Sequence, residues 1–177
     1  MTGSVVAVGV TRFELDPERS QVWIEGSSSV HPIHATATGL VGVVQVDLDG
    51  DLLAAAPGVE GEVRIAVDRL RSGNPLVDAE TRRRIDARRF PEIVGTVTGS
   101  QRLADDRVRL RGTIAFRGET QEVVGEIAVE LHEGELRVRG EETFDVRAWG
   151  LQPPRLGLVR VHPDVTVRLD AWARPTG

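Results

Sequence analysis

The sequence predicts an all-β protein: an antiparallel up-and-down β-barrel of about eight strands, with one short helix near residues 76–89. Several segments alternate apolar and polar side chains with a period of two, which is typical of half-buried strands. Turn residues separate these segments, and no internal repeat or linker divides the chain. With 177 residues, 40% of them hydrophobic, the chain suits one barrel domain.

Turn signals divide the first part of the chain. Pro17 lies in a predicted turn at 16–20, where its missing N–H costs least. Asp49-Gly50 is a pair typical of two-residue hairpin turns. Around these turns the alternating pattern predicts strands at 21–28, 36–48 and 59–70.

The segment 76–89 interrupts the strand pattern and is predicted to be the helix. Asn74-Pro75 closes the preceding strand, and Asp78 is a candidate cap for the first turn. Opposite charges four residues apart, Asp78 with Arg82 and Glu80 with Arg84, would support the helix. Phe90-Pro91 ends it, and a strand is predicted at 93–100.

Two hairpins are predicted between residues 107 and 136, where the alternation is clearest. One row of side chains is apolar and should face the interior: Val108, Leu110, Gly112, Ile114, Phe116, Val123, Gly125, Ile127, Val129 and Leu131. The opposite row, which includes Arg109, Arg111, Glu126 and Glu130, should face water. Further strands are predicted at 138–147 and 158–173.

The turns of these hairpins set the predicted register. With a loop over 118–121, Arg109 would lie opposite Glu130, so that opposite charges pair across the strands. A second turn at Glu133-Gly134 would place Val129 opposite Val138.

Composition excludes several classes of function. The net charge of −5 and a pI near 5.4 lack the basic footprint of a nucleic-acid-binding protein. The chain has no Cys, Lys or Tyr, which excludes disulfides, thiolate chemistry, Schiff bases and phenolic acids. The weak apolar run at 5–10 has no basic residue before it, so we expect no signal peptide and a cytoplasmic protein. No apolar run reaches the roughly 18 residues of a transmembrane helix.

A series of short motifs resembles the YceI-like family of polyisoprenoid-binding proteins, which have a lipocalin-like barrel. In chain order they are Phe13-Glu14-Leu15-Asp16-Pro17; Ser29-Val30-His31-Pro32-Ile33-His34; Ser72-Gly73-Asn74-Pro75; Arg89-Phe90-Pro91-Glu92-Ile93; Phe116-Arg117-Gly118-Glu119-Thr120; and Val146-Arg147-Ala148-Trp149-Gly150-Leu151. The resemblance implies one domain over 13–174 after an N-terminal tail at 1–12. It also implies an isoprenoid quinone or polyprenyl chain held inside the barrel without catalysis.

The barrel interior is therefore the candidate site, for an apolar ligand that could also be a fatty acid or an amide. Inner glycines would leave free volume there, or would only permit bends of the wall, and both readings are open. The alternative function is a structural or stress-related protein whose own side chains fill the barrel. The residues predicted to bind ligand are Ile24, His34, Val63, Ile65, Leu110, Ile114, Phe116, Ile127, Val129, Val138, Phe144 and Trp149.

Polar residues near the barrel mouth are candidates for recognising a head group. Arg82, Arg83 and Arg88 lie in the densest basic segment, which would bind a phosphate or would simply be a solvated helix face. His34 would bond backbone or a head group. We expect no cofactor and no metal, because further ligands for a zinc held by His31 and His34 are distant in sequence. A monomer or homodimer is expected.

Glu142 shares the parity of Val138 and Phe144, so a regular strand would turn it inward. A β-bulge would turn it outward, and the sequence leaves both possibilities open. A buried carboxylate needs a partner, for which Arg147 and Arg160 are the candidates.

Overall fold

The computed structural model describes residues 9–50, 52–153 and 155–177, and almost all of its regular structure is strand. Within these ranges the one α-helix, α1, spans Pro75–Ile85, and 3-10 turns occur at Val67–Arg69 and Val146–Trp149. The strands are β1 Gly9–Leu15, β2 Gln21–Ser27, β3 Pro32–Thr38, β4 Val41–Asp49, β5 Leu52–Leu53, β6 Val59–Ala66, β7 Glu92–Ala104, β8 Arg107–Phe116, β9 Glu119–His132, β10 Glu135–Asp145, β11 Arg155–Leu156, β12 Val159–Arg160 and β13 Asp164–Pro175.

These strands close into an antiparallel barrel of eight strand positions, as the sequence predicts. The order around it is β1, β4, β6, β7, β8, β9, β10 and β13, and β13 pairs with β1 to close it. Strand β2 continues β1, and both pair with β13. Strand β3 likewise precedes and continues β4, and it pairs with β2. Each of these two positions is thus one long strand broken by a bend.

Several strand boundaries differ from those predicted. The predicted strand 36–48 is two strands, because Gly39 adopts a left-handed φ of 74° and donates its N–H to the Pro17 carbonyl. The strand predicted at 158–173 begins at 164, and residues 155–160 form the separate β11–β12 pair. Gly9–Arg12, expected in the tail, belong to β1 and pair with β4, while residues 1–8 lie outside the described residues.

The predicted register of the β8–β9 hairpin is wrong by four residues, although the inner and outer faces are correct. The turn is the two-residue Arg117-Gly118, with φ of 52° and 77°, rather than the predicted four-residue loop. Arg109 therefore lies opposite Glu126, and Arg109 Nη2 donates to Glu126 Oε1 at 2.9 Å. The β9–β10 register matches the prediction, with Val129 opposite Val138.

Helix α1 is shorter than predicted and is capped by a different residue. Asn74 is the N-cap, because its Oδ1 accepts from the backbone N–H groups of Leu76 and Val77 at 3.0 and 3.4 Å. Asp78 instead accepts from Ser72 N and Ser72 Oγ, at 2.8 and 2.6 Å, in the loop before the helix. The helix ends where Asp86 adopts a φ of 58°.

Val67, Leu70 and Ile85 are buried near the end of the barrel beside the β8–β9 turn, and much of the rest of the core lies at the opposite end, next to the turns that follow β7 and β9. Leu136, Val108 and Phe13 are almost fully buried there, with 1%, 0% and 1% of their surfaces exposed. Other buried residues of the core cluster are Leu15, Val22, Val46, Leu48, Val59, Val129, Ala171 and Ala173. We call this end the closed half and the end beside the β8–β9 turn the open half.

Candidate functional site

The inner face of the barrel changes from fully buried to half-buried along single strands. On β10, Leu136 is buried, whereas Val138 and Phe144 on the same face are half-buried. On the facing β13, Ala173 is buried, whereas Val167 is half-buried. Since these side chains face the interior, their partial exposure means that the open half is less completely filled than the closed half, although Val67, Leu70 and Ile85 are buried at that end.

Gly95 on β7 marks this unfilled space directly. It lies between Val63 and Ile114 in the strand register, on the inner face, and a Cβ built on it meets no heavy atom within 4 Å. Gly112 and Gly61 differ, because a Cβ on either would overlap a neighbouring strand's carbonyl oxygen, that of Thr96 or Val43. Gly95 therefore leaves free volume, whereas the other two allow close approach of the wall strands.

The wall of the open half is completed by the 3-10 turn Val146–Trp149, since the registered pairing of β9 with β10 ends at Ile127 and Gly140. Trp149 is buried, packs edge-on against Phe144 and donates its indole N–H to the Ile114 carbonyl at 2.9 Å. Gln121 Nε2 donates to the Ala148 carbonyl at 2.8 Å. These hydrogen bonds join the turn to β8 and β9.

The structure brings most of the predicted site residues to one face. By strand register, the inner face carries Ile24, Val63, Ile65, Leu110, Ile114, Phe116, Ile127, Val129, Val138 and Phe144. Val129 lies in the closed half and is buried. Trp149 packs against Phe144 at the open end. Whether these residues bind a ligand stays a prediction.

His34 is not brought to the interior. It pairs with Glu25 on β2, is exposed, and lies on the face opposite to that of Ile24. Its Nδ1 is 3.9 Å from a Glu25 carboxylate oxygen. The motif did not determine the face of His34, which is set by the pairing of β3 with β2.

Glu142 keeps the inward parity, because β10 pairs with β13 without a bulge from Leu136 to Asp145. It lies opposite Val167, and its Oε2 is 3.4 Å from the position that a Cβ of Gly125 would occupy. Neither expected partner binds it. Arg147 forms hydrogen bonds with Asp145 instead. Within the part of the chain that the structure describes, no hydrogen bond or ion pair joins Glu142 to Arg160.

The arginine-rich segment lies at the open end but is partly neutralised. Arg83 and Arg84 both donate to Glu80, at 2.7 and 2.8 Å. The hydrogen bond from Arg83, followed by that from Arg84, lowers the pKa of Glu80 to about 2. Arg82 is half-buried, and Arg88 is exposed beyond the helix end. A head-group role for Arg82, Arg83 and Arg88 stays a prediction.

Sequence reasoning missed part of the lining. Val44, Val97, Val167 and Leu169 are half-buried against the core from the inner face. Strand alternation could have identified Val167 and Leu169, since they share the parity of Ala171. For Val97 the bulge between Val97 and Gly99 disrupts the alternation.

Other candidate sites are weaker. Two open clefts lie elsewhere: one is on the outer face of β4, β6 and β7, and the other is between residues 55–58 and β7. Among the described residues, no three His, Cys, Asp or Glu side chains are grouped as metal ligands. None of the described helices has the length and apolar character needed to cross a membrane.

Comparisons with known proteins agree on the fold. A family model for the YceI-like domain matches residues 13–173. The structure is similar to Burkholderia cenocepacia BcnA, with 13% identity, a TM-score of 0.75, and coverage of 89% of this chain and 98% of that one. A polyisoprenoid binding domain from Saccharophagus degradans, implicated in plant cell wall breakdown, has 12% identity, a TM-score of 0.71, and coverage of 96% and 100%.

A Campylobacter jejuni YCEI protein has 12% identity and a TM-score of 0.61, with coverage of 77% of this chain and 81% of that one. No curated protein sequence matches this chain. At these identities the structural likeness concerns the fold alone.

Proposed function

Because the chain belongs to the YceI-like family, we propose that it binds an elongated apolar ligand in the open half of the barrel without catalysing a reaction. The single observation that carries this proposal is the inner face itself, where half-buried apolar side chains surround the open space at Gly95. The polyisoprenoid binding domain from Saccharophagus degradans shares the fold, which supports an isoprenoid quinone or a polyprenyl chain as the class of ligand.

The affinity would come from the hydrophobic effect. Burial of apolar ligand surface contributes roughly 25 cal/mol per Å², reduced by the entropy lost when a flexible chain is immobilised. The lining is mostly aliphatic, with Phe116 and Phe144 near the open end, which suits a hydrocarbon chain better than a flat cofactor.

Native mass spectrometry of freshly purified protein, followed by organic extraction and identification of the lipids, tests the proposal. We expect a stoichiometric apolar species released by the extraction. The stripped protein should then bind diphenylhexatriene, an apolar fluorescent probe, and a polyprenyl alcohol should displace it. A folded protein that carries no lipid and binds no apolar probe would instead support the structural alternative.

A further inference from the structure

Glu142 is a charged side chain on an inner face of the open half that is otherwise largely apolar. On β10 and β13, its inward-facing neighbours are Val138, Gly140, Phe144, Val165 and Val167. The inner faces of β6, β7 and β8 in this half likewise carry only apolar side chains and glycine. On β9 the polar inner residues are Gln121, which is bonded to the Ala148 carbonyl, and Glu119 at the rim.

The carboxylate of Glu142 is exposed. None of the described residues donates a hydrogen bond to it or lies within ion-pair distance of it. The nearby arginine, Arg147, is engaged by Asp145 through Nε and Nη2, at 3.0 and 2.7 Å.

Gly125, which lies beside Glu142 on β9, leaves room for this carboxylate. Gly140, two residues earlier on the same face, instead leaves room for Ile127, whose Cγ2 would lie 3.0 Å from an added Cβ. A Cβ atom added to Gly125 would lie 3.4 Å from Glu142 Oε2. The carboxylate therefore lies on the inner parity of the wall, at the place where β9 and β10 no longer pair in register.

A ligand group that packs against Glu142 would remove water from its carboxylate. Taking an unpaired carboxylate out of water is unfavourable, and this cost is offset only if the ligand donates a hydrogen bond or carries a positive charge. An anionic group at the same place would add repulsion between like charges.

We propose that Glu142 is the polar anchor of the ligand site and selects an apolar chain that carries a hydrogen-bond donor or a cation, such as a hydroxyl or an amine, over one that ends in a carboxylate. This inference rests on the proposed function and specifies the ligand class for that site.

Competitive displacement of diphenylhexatriene at neutral pH tests the selection. Octadecylamine, octadecanol and octadecanoate have equal chain lengths and differ in the head group. They are titrated against the wild-type protein, E142Q and the control E141Q. Glu141 is the adjacent exposed residue on the outer face of β10, opposite Arg168. The Gln side chain is nearly isosteric with Glu, and thermal unfolding verifies that each variant is folded.

We expect the wild-type protein to bind the amine and the alcohol more tightly than the acid. In E142Q the affinity for the amine should fall about tenfold to a hundredfold, and the affinity for the acid should rise. E141Q should behave as the wild type. If all three ligands bind but the ratio of amine to acid affinity is the same in E142Q, the anchor role is wrong and the binding function stands. If the folded wild-type protein binds neither the probe nor any ligand, both proposals are wrong.

Discussion

The indole N–H of Trp149 donates a 2.9 Å hydrogen bond to the backbone carbonyl of Ile114, linking the turn after β10 to a strand two positions away around the barrel. This bond spans the region where β9 and β10 no longer pair in register. Trp149 is therefore part of the wall of the open half.

The first prediction is that Trp149→Phe lowers the free energy of unfolding by about 1–3 kcal/mol, because a part-buried hydrogen bond is lost and the smaller ring leaves space around a buried side chain. Urea denaturation followed by circular dichroism measures the change. Trp23→Phe is the control, since Trp23 is half-buried beneath the Arg168 guanidinium and should cost less. Equal losses of unfolding free energy in the two variants would contradict a stabilising role for the Trp149 hydrogen bond.

The second prediction concerns the open space at Gly95. Gly95→Leu should place a side chain in the interior, weakening binding of an apolar probe while changing stability by less than about 1 kcal/mol. Gly99→Leu is the matched control on β7, because its added side chain also meets open space but Gly99 pairs with the outward-facing Arg111. Probe titration and thermal unfolding of both variants decide the matter, and unchanged binding in Gly95→Leu would argue against an interior site.

Gly125 is a less suitable position for this test. A leucine there would meet the Glu142 carboxylate, so a change in binding would mix lost volume with a displaced polar group.

The third prediction separates the two halves of the barrel. Leu136→Ala should lower the free energy of unfolding by about 2–5 kcal/mol, because the closed half is densely packed around a side chain that is 1% exposed. Val138→Ala, two residues along the same face, should cost about 1 kcal/mol and mainly reduce ligand affinity. Denaturation and probe titration of both variants test this; a larger stability loss at Val138 would contradict the burial gradient.

The fourth prediction is an acid-dependent stability from the Asp170–Arg137 pair. Arg137 donates to both carboxylate oxygens of Asp170, at 3.1 and 2.8 Å, and this hydrogen bonding holds the pKa of Asp170 below its ordinary 3.8. A lowered pKa in the folded state adds stability that is present above pH 3.8 and is lost as the pH falls through the folded-state pKa.

Asp170→Asn should therefore remove about 1 kcal/mol at neutral pH and flatten part of the acid limb of the stability curve. Urea denaturation at several pH values between neutral and strongly acidic measures this. Arg137→Gln should produce the same flattening, since it removes the donor from the other side. An unchanged acid limb in both variants would show that the pair does not couple to folding.

Local sequence patterns predicted the faces of the strands well, because side-chain alternation in a strand is a local property. The rows beginning at Val108 and Val123 face inward as predicted, and the Glu133-Gly134 turn gives the predicted β9–β10 register. The helix was located, but its cap was not, since Asn74 and Asp78 are both suitable residues and the loop at Ser72 decides between them.

The register of β8 with β9 was not determined by the sequence pattern. A shift of four residues leaves every side chain on the same face, and Arg109 finds a glutamate in either alignment. The positive φ of Arg117 and Gly118 makes the turn two residues long and thereby fixes the pairing.

The sequence by itself determined the all-β class, the inner row of apolar side chains and the family, because each follows from local alternation and short motifs. Only the tertiary structure decided which part of that row is filled and which is open. Leu136 and Val138 are equivalent in pattern, yet one is buried in the closed half and the other borders the open half. The same closure left Glu142 facing inward, with no hydrogen-bond or ion-pair partner among the residues that the structure describes, because burial and pairing depend on what the neighbouring strands bring across the barrel.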